Sequence, residues 1–307
     1  MKIYDLIILG AGPAGITAAV YAARKRLDFV VITKDIGGQA SWSGDIENYT
    51  GYQFITGPQL AIKFQEHMDS FGIKVIMPQS AIEISRQEEK IKVITDREEY
   101  FSRAIIVATG KNPRLLSVEG EKEYKGKGVT YCATCDGPVF KGKNVVIVGG
   151  GNSALDAALQ MVNISPKVYI VDIAPKLTGD EVMIQKLKQS SNVEVFNNAI
   201  VKKIYGADFV KGVEIEANSE IKELAVQGVF VEIGLNPNAG FASGLKKNES
   251  GEIIVDCYNQ TNIEGLFAAG DVTSVPEKQI IIACGEGSKA CLSAFRYLST
   301  HSFSSQA

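Results

Sequence analysis

The chain has 307 residues, 45% of them apolar, with a formal net charge of −3. That is enough for one large domain or two ordinary ones with real cores, and the absence of any basic block excludes a nucleic-acid partner. The largely apolar run at residues 3–9 is too short for a signal core or a membrane span, which predicts a cytoplasmic protein without membrane association.

Residues 3–9 are rich in Ile and Leu and predict a buried parallel strand. Gly10-Ala11-Gly12-Pro13-Ala14-Gly15 follows, and residues 16–24, with alanine at 18, 19, 22 and 23, predict a helix. This is G-x-G-x-x-G between a strand and a helix. Gly10 permits the tight turn, Gly12 lets backbone approach a pyrophosphate, and Gly15 lets helix pack on strand. The helix N-terminus offers N–H groups and positive dipole to the phosphates. The acidic residue expected at the end of the second strand, 29–33, is missing; Thr33 and Lys34 stand there. Gly37-Gly38-Gln39 and Glu47-Asn48-Tyr49 lie in a loop where the rest of a long cofactor could lie.

A helix is predicted over 57–71, then short strands at 74–77, 81–85, 90–95 and 99–101. A buried strand at 104–108 ends in Thr109-Gly110. The polar run 119–127 reads as a crossover between domains. Cys132 and Cys135 follow, in Tyr131-Cys132-Ala133-Thr134-Cys135-Asp136-Gly137-Pro138. Two cysteines at this spacing can close a disulfide ring and reopen it, and C-x-x-C near βαβ patterns reads as redox-active. Structural zinc needs four ligands; the other cysteines, 257, 284 and 291, are distant and there are two histidines, so no metal is expected. Those three cysteines read as buried small apolar residues, with 284 and 291 on one face of a helix.

Residues 144–148 predict a second apolar strand, followed by Gly149-Gly150-Gly151-Asn152-Ser153-Ala154 and a helix at 155–162. This is a second fingerprint, G-x-G-x-x-A, and the next strand, 167–171, ends in Asp172. Asp172 would accept hydrogen bonds from ribose hydroxyls and repel a 2′-phosphate, so NADH is preferred over NADPH. A helix at 180–189 and strands at 193–197, 200–205, 210–216 and 223–232 suggest a meander around a βαβ core, ending at Gly234. The chain returns through 252–256 to Gly270-Asp271, where a carboxylate could meet a ribityl or ribose hydroxyl. Lys278-Gln279-Ile280 opens a last helix, 281–298, whose Gly285 and Gly287 would let a bulky ring approach.

Together these pieces resemble the low-molecular-weight thioredoxin reductases over the whole chain, and among them the flavoprotein of bacterial alkyl hydroperoxide reductase systems. The matching motifs are GAGPAG at 10–15, GGQ at 37–39, EN at 47–48, ATG at 108–110, CATCDGP at 132–138, GGGNSA at 149–154, and GLFAAGDV followed by KQI at 278–280. The resemblance implies an α/β fold of two Rossmann-like dinucleotide-binding domains, three-layer ββα in type, the second inserted into the first. Residues 1–114 and 246–307 would form the FAD-binding domain, and 115–245 the NAD(P)H-binding domain carrying the C-x-x-C. It implies that Cys132 and Cys135 form the active disulfide, with Cys135 next to the flavin and Asp136 as acid/base. Gly10, Gly12, Pro13, Ala14, Gly15, Gly38, Gln39, Asn48, Thr109, Gly110, Gly270, Asp271, Lys278, Gln279 and Ile280 fall on FAD positions. Gly149, Gly151, Asn152, Ser153, Ala154, Asp172 and Gly234 fall on nucleotide positions.

The implied activity is electron transfer from NAD(P)H, through flavin and the disulfide, to a thioredoxin- or glutaredoxin-like protein, in a homodimer. Relatives specific for NADPH carry His-Arg-Arg where this chain has Asp172-Ile173-Ala174. The peroxide-system flavoproteins carry an acidic residue followed by Ala-Pro, as here in Ala174-Pro175, and use NADH. They begin with thioredoxin-like domains, so any such relay is expected on a separate protein. A ferredoxin-type donor in place of nicotinamide is the alternative.

Overall fold

Residues 2–43, 45–87 and 89–301 are described by a computed structural model. Two units emerge: Met1–Trp42 with Tyr49–Asn112 and Asn236–Ala307, and Ser43–Asn48 with Pro113–Leu235. In chain order the elements are β1 (Ile3–Ala11), α1 (Pro13–Arg24), β2 (Phe29–Ile36), β3 (Asp45–Ile46), β4 (Ile55–Thr56), α2 (Gly57–Ser70), β5 (Val75–Ile76), β6 (Ala81–Gln87), β7 (Lys90–Thr95), β8 (Glu99–Val107) and β9 (Lys111–Pro113). They continue as β10 (Val129–Thr130), α3 (Ala133–Asp136), β11 (Val145–Val148), α4 (Asn152–Val162), β12 (Val168–Val171), α5 (Glu181–Lys188) and β13 (Val193–Phe196). The rest are β14 (Ala199–Gly206), β15 (Val210–Ala217), β16 (Glu220–Leu224), β17 (Gly228–Val231), β18 (Leu235–Pro237), β19 (Leu266–Ala268) and α6 (Ile280–Thr300).

In the first unit the strand order is β5-β2-β1-β8-β7-β6, with β19 also on β8. Strand β1 runs parallel to both neighbours, Leu6 facing Phe29 in β2 and Ala104 in β8. Successive side chains point to opposite faces, and both faces of β1 are covered, so the strand reads as a continuous apolar run. Leu6 and Ile8 pack with Ala18 and Ala19 of α1 and Ala290 and Ala294 of α6. Ile7 and Leu9 pack on the other side with Val93, Ala242 and Leu245. Alanine lets α1 and α6 come close: a Cβ on Gly287 would lie 2.0 Å from the Ala14 carbonyl oxygen.

The second unit is built in three layers. Its central sheet is parallel, in the order β10-β17-β11-β12-β13. Val145 and Ile147 of β11 pack on Leu155, Ala158 and Met161 of α4 and on Ile184 and Leu187 of α5. Val146 and Val148 pack the opposite way, against Val201, Val213 and Ile215 of the antiparallel sheet β14-β15-β16. Helix α5 is capped by Asp180, whose carboxylate accepts from Val182 N–H at 2.8 Å.

Three sequence expectations change. The strands expected at 99–101 and 104–108 are one, β8, since its first half pairs antiparallel with β7 and its second half parallel with β1. The strand expected at 223–232 is two: Leu224 ends pairing with β15, and Gly228 begins pairing with β11. The first unit takes residues 236–245, because Ala239, Ala242 and Leu245 are buried with Tyr4, Ile7 and Leu9. Residues 43–48 go with the second unit.

Candidate functional site

Cys132 and Cys135 are joined by a disulfide in the second unit. Thr130 ends β10, Cys132 is the N-cap of α3, and Cys135 lies on that short helix. The Cys132 sulfur accepts a hydrogen bond from Cys135 N–H at 3.2 Å. The neighbouring Asp136 carboxylate accepts from the Thr130 hydroxyl through Oδ2, and Thr130 Oγ1 accepts from Cys132 N–H at 3.2 Å. One hydroxyl thus fastens both the start of the redox segment and its acidic residue. Tyr131 donates its hydroxyl to Glu121 Oε1 at 3.0 Å, and burial, with that contact, pushes the phenol well above its ordinary value. Glu121 itself is buried and also accepts from the N–H groups of Leu116 and Ser117.

The second fingerprint lies at the carboxyl ends of β11 and β12. Gly149 has φ of +129°, and a Cβ there would meet the Glu232 carbonyl oxygen at 2.4 Å, so only glycine fits. Gly151 is the N-cap of α4 and makes no side-chain cap; a Cβ on it would meet nothing within 4 Å. A helix start without a side-chain cap leaves first-turn N–H groups for a ligand such as a phosphate. Asn152 Oδ1 accepts from Asp180 N–H at 2.7 Å, and Ser153 donates its hydroxyl to Glu232. Ala154 is fully buried against β11. Asp172 directly follows β12 and is 8% exposed. Its Oδ2 has no hydrogen-bond partner among the described residues. A buried carboxylate oxygen without a donor costs free energy, and a ribose hydroxyl would satisfy it. Gly234 follows β17 with φ of +97°, its carbonyl accepting from Arg114 N–H at 3.0 Å.

The first unit gathers the other predicted residues at the carboxyl ends of β1, β8 and β19. Gly15 lies so near the β1 turn that a Cβ would meet the Gly10 carbonyl oxygen at 1.9 Å, while one on Gly12 would meet nothing. Pro13 opens α1. Gly38 and Gln39 begin a single 3₁₀ turn, with Gly38 beside Gly12. The Gln39 amide donates to Asp271 Oδ2 at 3.3 Å. Gly270 lies beside Ala14, and Thr109 donates its hydroxyl to the Asn238 carbonyl at 2.6 Å. The Gly110 carbonyl accepts from Asn238 N–H at 3.0 Å. Gln279 caps α6 and Ile280 begins it. Asn48 falls in residues 43–48, which pack with the second unit.

An ion cluster that the sequence patterns do not reveal surrounds Asp271. Lys278 binds Glu252 Oε1 at 3.2 Å, and Lys111 binds the same oxygen. Burial acts to raise the Glu252 carboxyl, but hydrogen bonds from Lys111, Asn248 and Lys278 hold it below the ordinary range. Burial pushes Asp271 up, against the attraction of Lys278 and Lys111. Lys278 is pushed down by burial and then by Lys111, against Glu252 and Asp271. Lys111 follows directly on Thr109-Gly110, but no spacing rule links it to Glu252. Two further expectations are corrected. Gly287 meets the backbone of α1, not a ring, whereas Gly285 faces open space. Cys284 and Cys291 are buried as expected, but Cys257 is exposed, since it lies in the turn after Asp256.

The family described as pyridine nucleotide-disulphide oxidoreductase matches residues 4–287. An alkyl hydroperoxide reductase protein from Escherichia coli (strain K12) is 42% identical over 303 residues, 96% of this chain and 58% of that protein. A Bacillus subtilis (strain 168) protein named NADH dehydrogenase is 40% identical over 298 residues, again 96% of this chain and 58% of the relative. This chain thus spans less than two thirds of the length of both. The solved thioredoxin reductase of Streptococcus pyogenes superposes with a TM-score of 0.91 at 36% identity, covering 97% of this chain and 99% of that one. The chain belongs to the pyridine nucleotide-disulphide oxidoreductase family, whose members are flavoproteins that bind FAD and use a nicotinamide nucleotide.

Proposed function

We propose that the protein is an FAD-dependent disulfide oxidoreductase of thioredoxin reductase type, passing electrons from NADH through the Cys132–Cys135 disulfide to a thioredoxin- or glutaredoxin-like protein. The observation that carries this reading is a C-x-x-C disulfide in the same unit as a dinucleotide turn with an unpartnered ribose-type acceptor, Asp172. The FAD fit rests on the open space over Gly12 and on the half-buried Asp271 carboxylate beside Gln39. Gly10, Gly12, Pro13, Ala14, Gly15, Gly38, Gln39, Thr109, Gly110, Gly270, Asp271, Lys278, Gln279 and Ile280 would line its site. Gly149, Gly151, Asn152, Ser153, Ala154, Asp172 and Gly234 would hold the nucleotide. When bound, the flavin supplies the two-electron relay between nicotinamide and sulfur.

Two electrons and two protons convert the disulfide to a dithiol. Cys135 N–H, which donates to the Cys132 sulfur, stabilises a thiolate there, so Cys132 attacks one sulfur of the client disulfide. The client S–S bond breaks, its other sulfur leaves as a thiolate, and a mixed disulfide forms. Cys135 then attacks Cys132, restoring their disulfide and releasing the client as a dithiol. Asp136, steadied by Thr130, takes the proton from the attacking thiol and returns one to the leaving sulfur. The reading includes a homodimer, as the resemblance implies. Asp172 would accept from an unphosphorylated ribose and repel a 2′-phosphate, which favours NADH.

Anaerobic titration tests it. NADH should bleach the flavin band and expose two new thiols per chain, NADPH should do so much more slowly, and Cys135→Ser should abolish client reduction. Protein that cannot be loaded with FAD overturns the reading. Bleaching by reduced ferredoxin but not by NADH replaces the donor.

A further inference from the structure

Glu232 is a carboxylate that the chemistry above does not use. It follows β17 directly, and its two oxygens serve two different parts of the second unit. Oε1 accepts from Ala133 N–H, between the two cysteines, at 3.4 Å. Oε2 accepts from the hydroxyl of Ser153 in the nucleotide turn. Its backbone touches the same turn, since Gly149 leaves no room for a Cβ beside the Glu232 carbonyl. The charged groups on the elements packed around it are Asp156 on α4 and Asp136 on α3, both acidic.

We propose that Glu232 is a positioning residue shared by the nucleotide turn and the redox segment, so that filling the first changes the reactivity of the second. The inference rests on the function proposed above. Ser153 has one hydroxyl proton and can give it to Glu232 or to a nucleotide phosphate, not to both. A pyrophosphate at the start of α4 also brings negative charge toward a carboxylate, which favours the neutral or displaced form of Glu232. Removing that negative charge from beside α3 favours a thiolate at Cys132. Burial already pushes the Glu232 carboxyl above its ordinary value, and Asp156 adds to this, against the hydrogen bonds from Ser153 and Ala133. By linkage, the nucleotide and the reduced pair must favour each other by the same factor.

The test uses the full-length, FAD-loaded protein. NAD⁺ affinity is measured by equilibrium dialysis from acidic to alkaline pH. The reduced pair is then alkylated with iodoacetamide, with and without saturating NAD⁺. In the unmodified protein, affinity should fall with rising pH by about fivefold or more, and NAD⁺ should speed alkylation by a similar factor. Glu232→Gln keeps the shape and an acceptor for Ala133 but carries no charge. It should bind NAD⁺ tightly with no such pH dependence, and NAD⁺ should leave its alkylation rate unchanged. Ser153→Ala removes the shared hydroxyl but not the charge effect, so it should reduce the coupling without abolishing it while Glu232 stays in place. The inference is overturned if Glu232→Gln keeps the original pH profile and NAD⁺ effect, if NAD⁺ does not change alkylation in the unmodified protein, or if NAD⁺ does not bind. A protein that shows the coupling yet reduces no client disulfide leaves this inference standing and removes the function beneath it.

Discussion

Asp172 stands out among the side chains because it is buried with one oxygen lacking a donor. A ribose diol would supply that donor in a charge-assisted hydrogen bond, a bond worth about 1.5–3 kcal/mol. Asp172→Ala should therefore raise the KM for NADH by about tenfold or more and leave client reduction by an already reduced pair unchanged. Steady-state kinetics at varied NADH check this, and an unchanged KM removes Asp172 from the nucleotide site. Glu252 makes a contrasting case. It is 12% exposed and lies between two lysines. Glu252→Gln would remove the carboxylate that both Lys111 and Lys278 contact and leave Asp271 alone to balance them, which should cost about 1–3 kcal/mol of stability. A denaturant melt showing a change below about 1 kcal/mol would mean the cluster is held by other contacts.

Among the elements, α1 and α6 show how much depends on small residues. A Cβ on Gly287 would overlap the Ala14 carbonyl, so even alanine there forces the helices apart. Gly287→Val should destabilise the first unit by roughly 1–3 kcal/mol or more and lower FAD content, since Ala14 belongs to the first dinucleotide turn. The ratio of flavin to protein absorbance after purification reports it. Helix α3 is an element of another kind. At four residues it cannot stand alone, and hydrogen bonds from its first N–H groups to the side chains of Thr130 and Glu232 hold it.

For the whole molecule, alkaline pH is the informative stress. Burial pushes the Cys291 thiol from 9.0 up to about 12, despite the opposing charge of Lys25. The unfolded thiol ionises near the lower value and the folded one near the upper. Between them the folded state holds the extra proton, so stability falls as pH rises through that window and is unaffected by this group below it. Relative to Cys291→Ala, the unmodified protein should lose up to about 1.4 kcal/mol per pH unit there. Paired denaturant melts at several alkaline pH values check the slope; parallel curves for the two proteins would contradict the burial of this thiol. Among the described residues no helix is long and apolar enough to cross a membrane, and α6, the longest, carries Glu286, Lys289 and Arg296.

Local rules carry far in this chain. Two glycine fingerprints, each between an apolar strand and an alanine-rich helix, dictated two parallel βα units, because backbone sterics and phosphate approach leave few other residues workable. The C-x-x-C pair and Asp172 were likewise visible from spacing alone. Strand continuity was not: polar Ser102 and Arg103 looked like a break, yet pairing with β1 carries β8 straight through. The split between β16 and β17 also depended on which distant partner each half found. Only the folded chain joins Lys111 to Glu252, or Glu232 to both Ser153 and Ala133, across 141, 79 and 99 residues. Periodicity and turn chemistry act over a few positions, and burial with charge compensation acts over whatever the fold brings together.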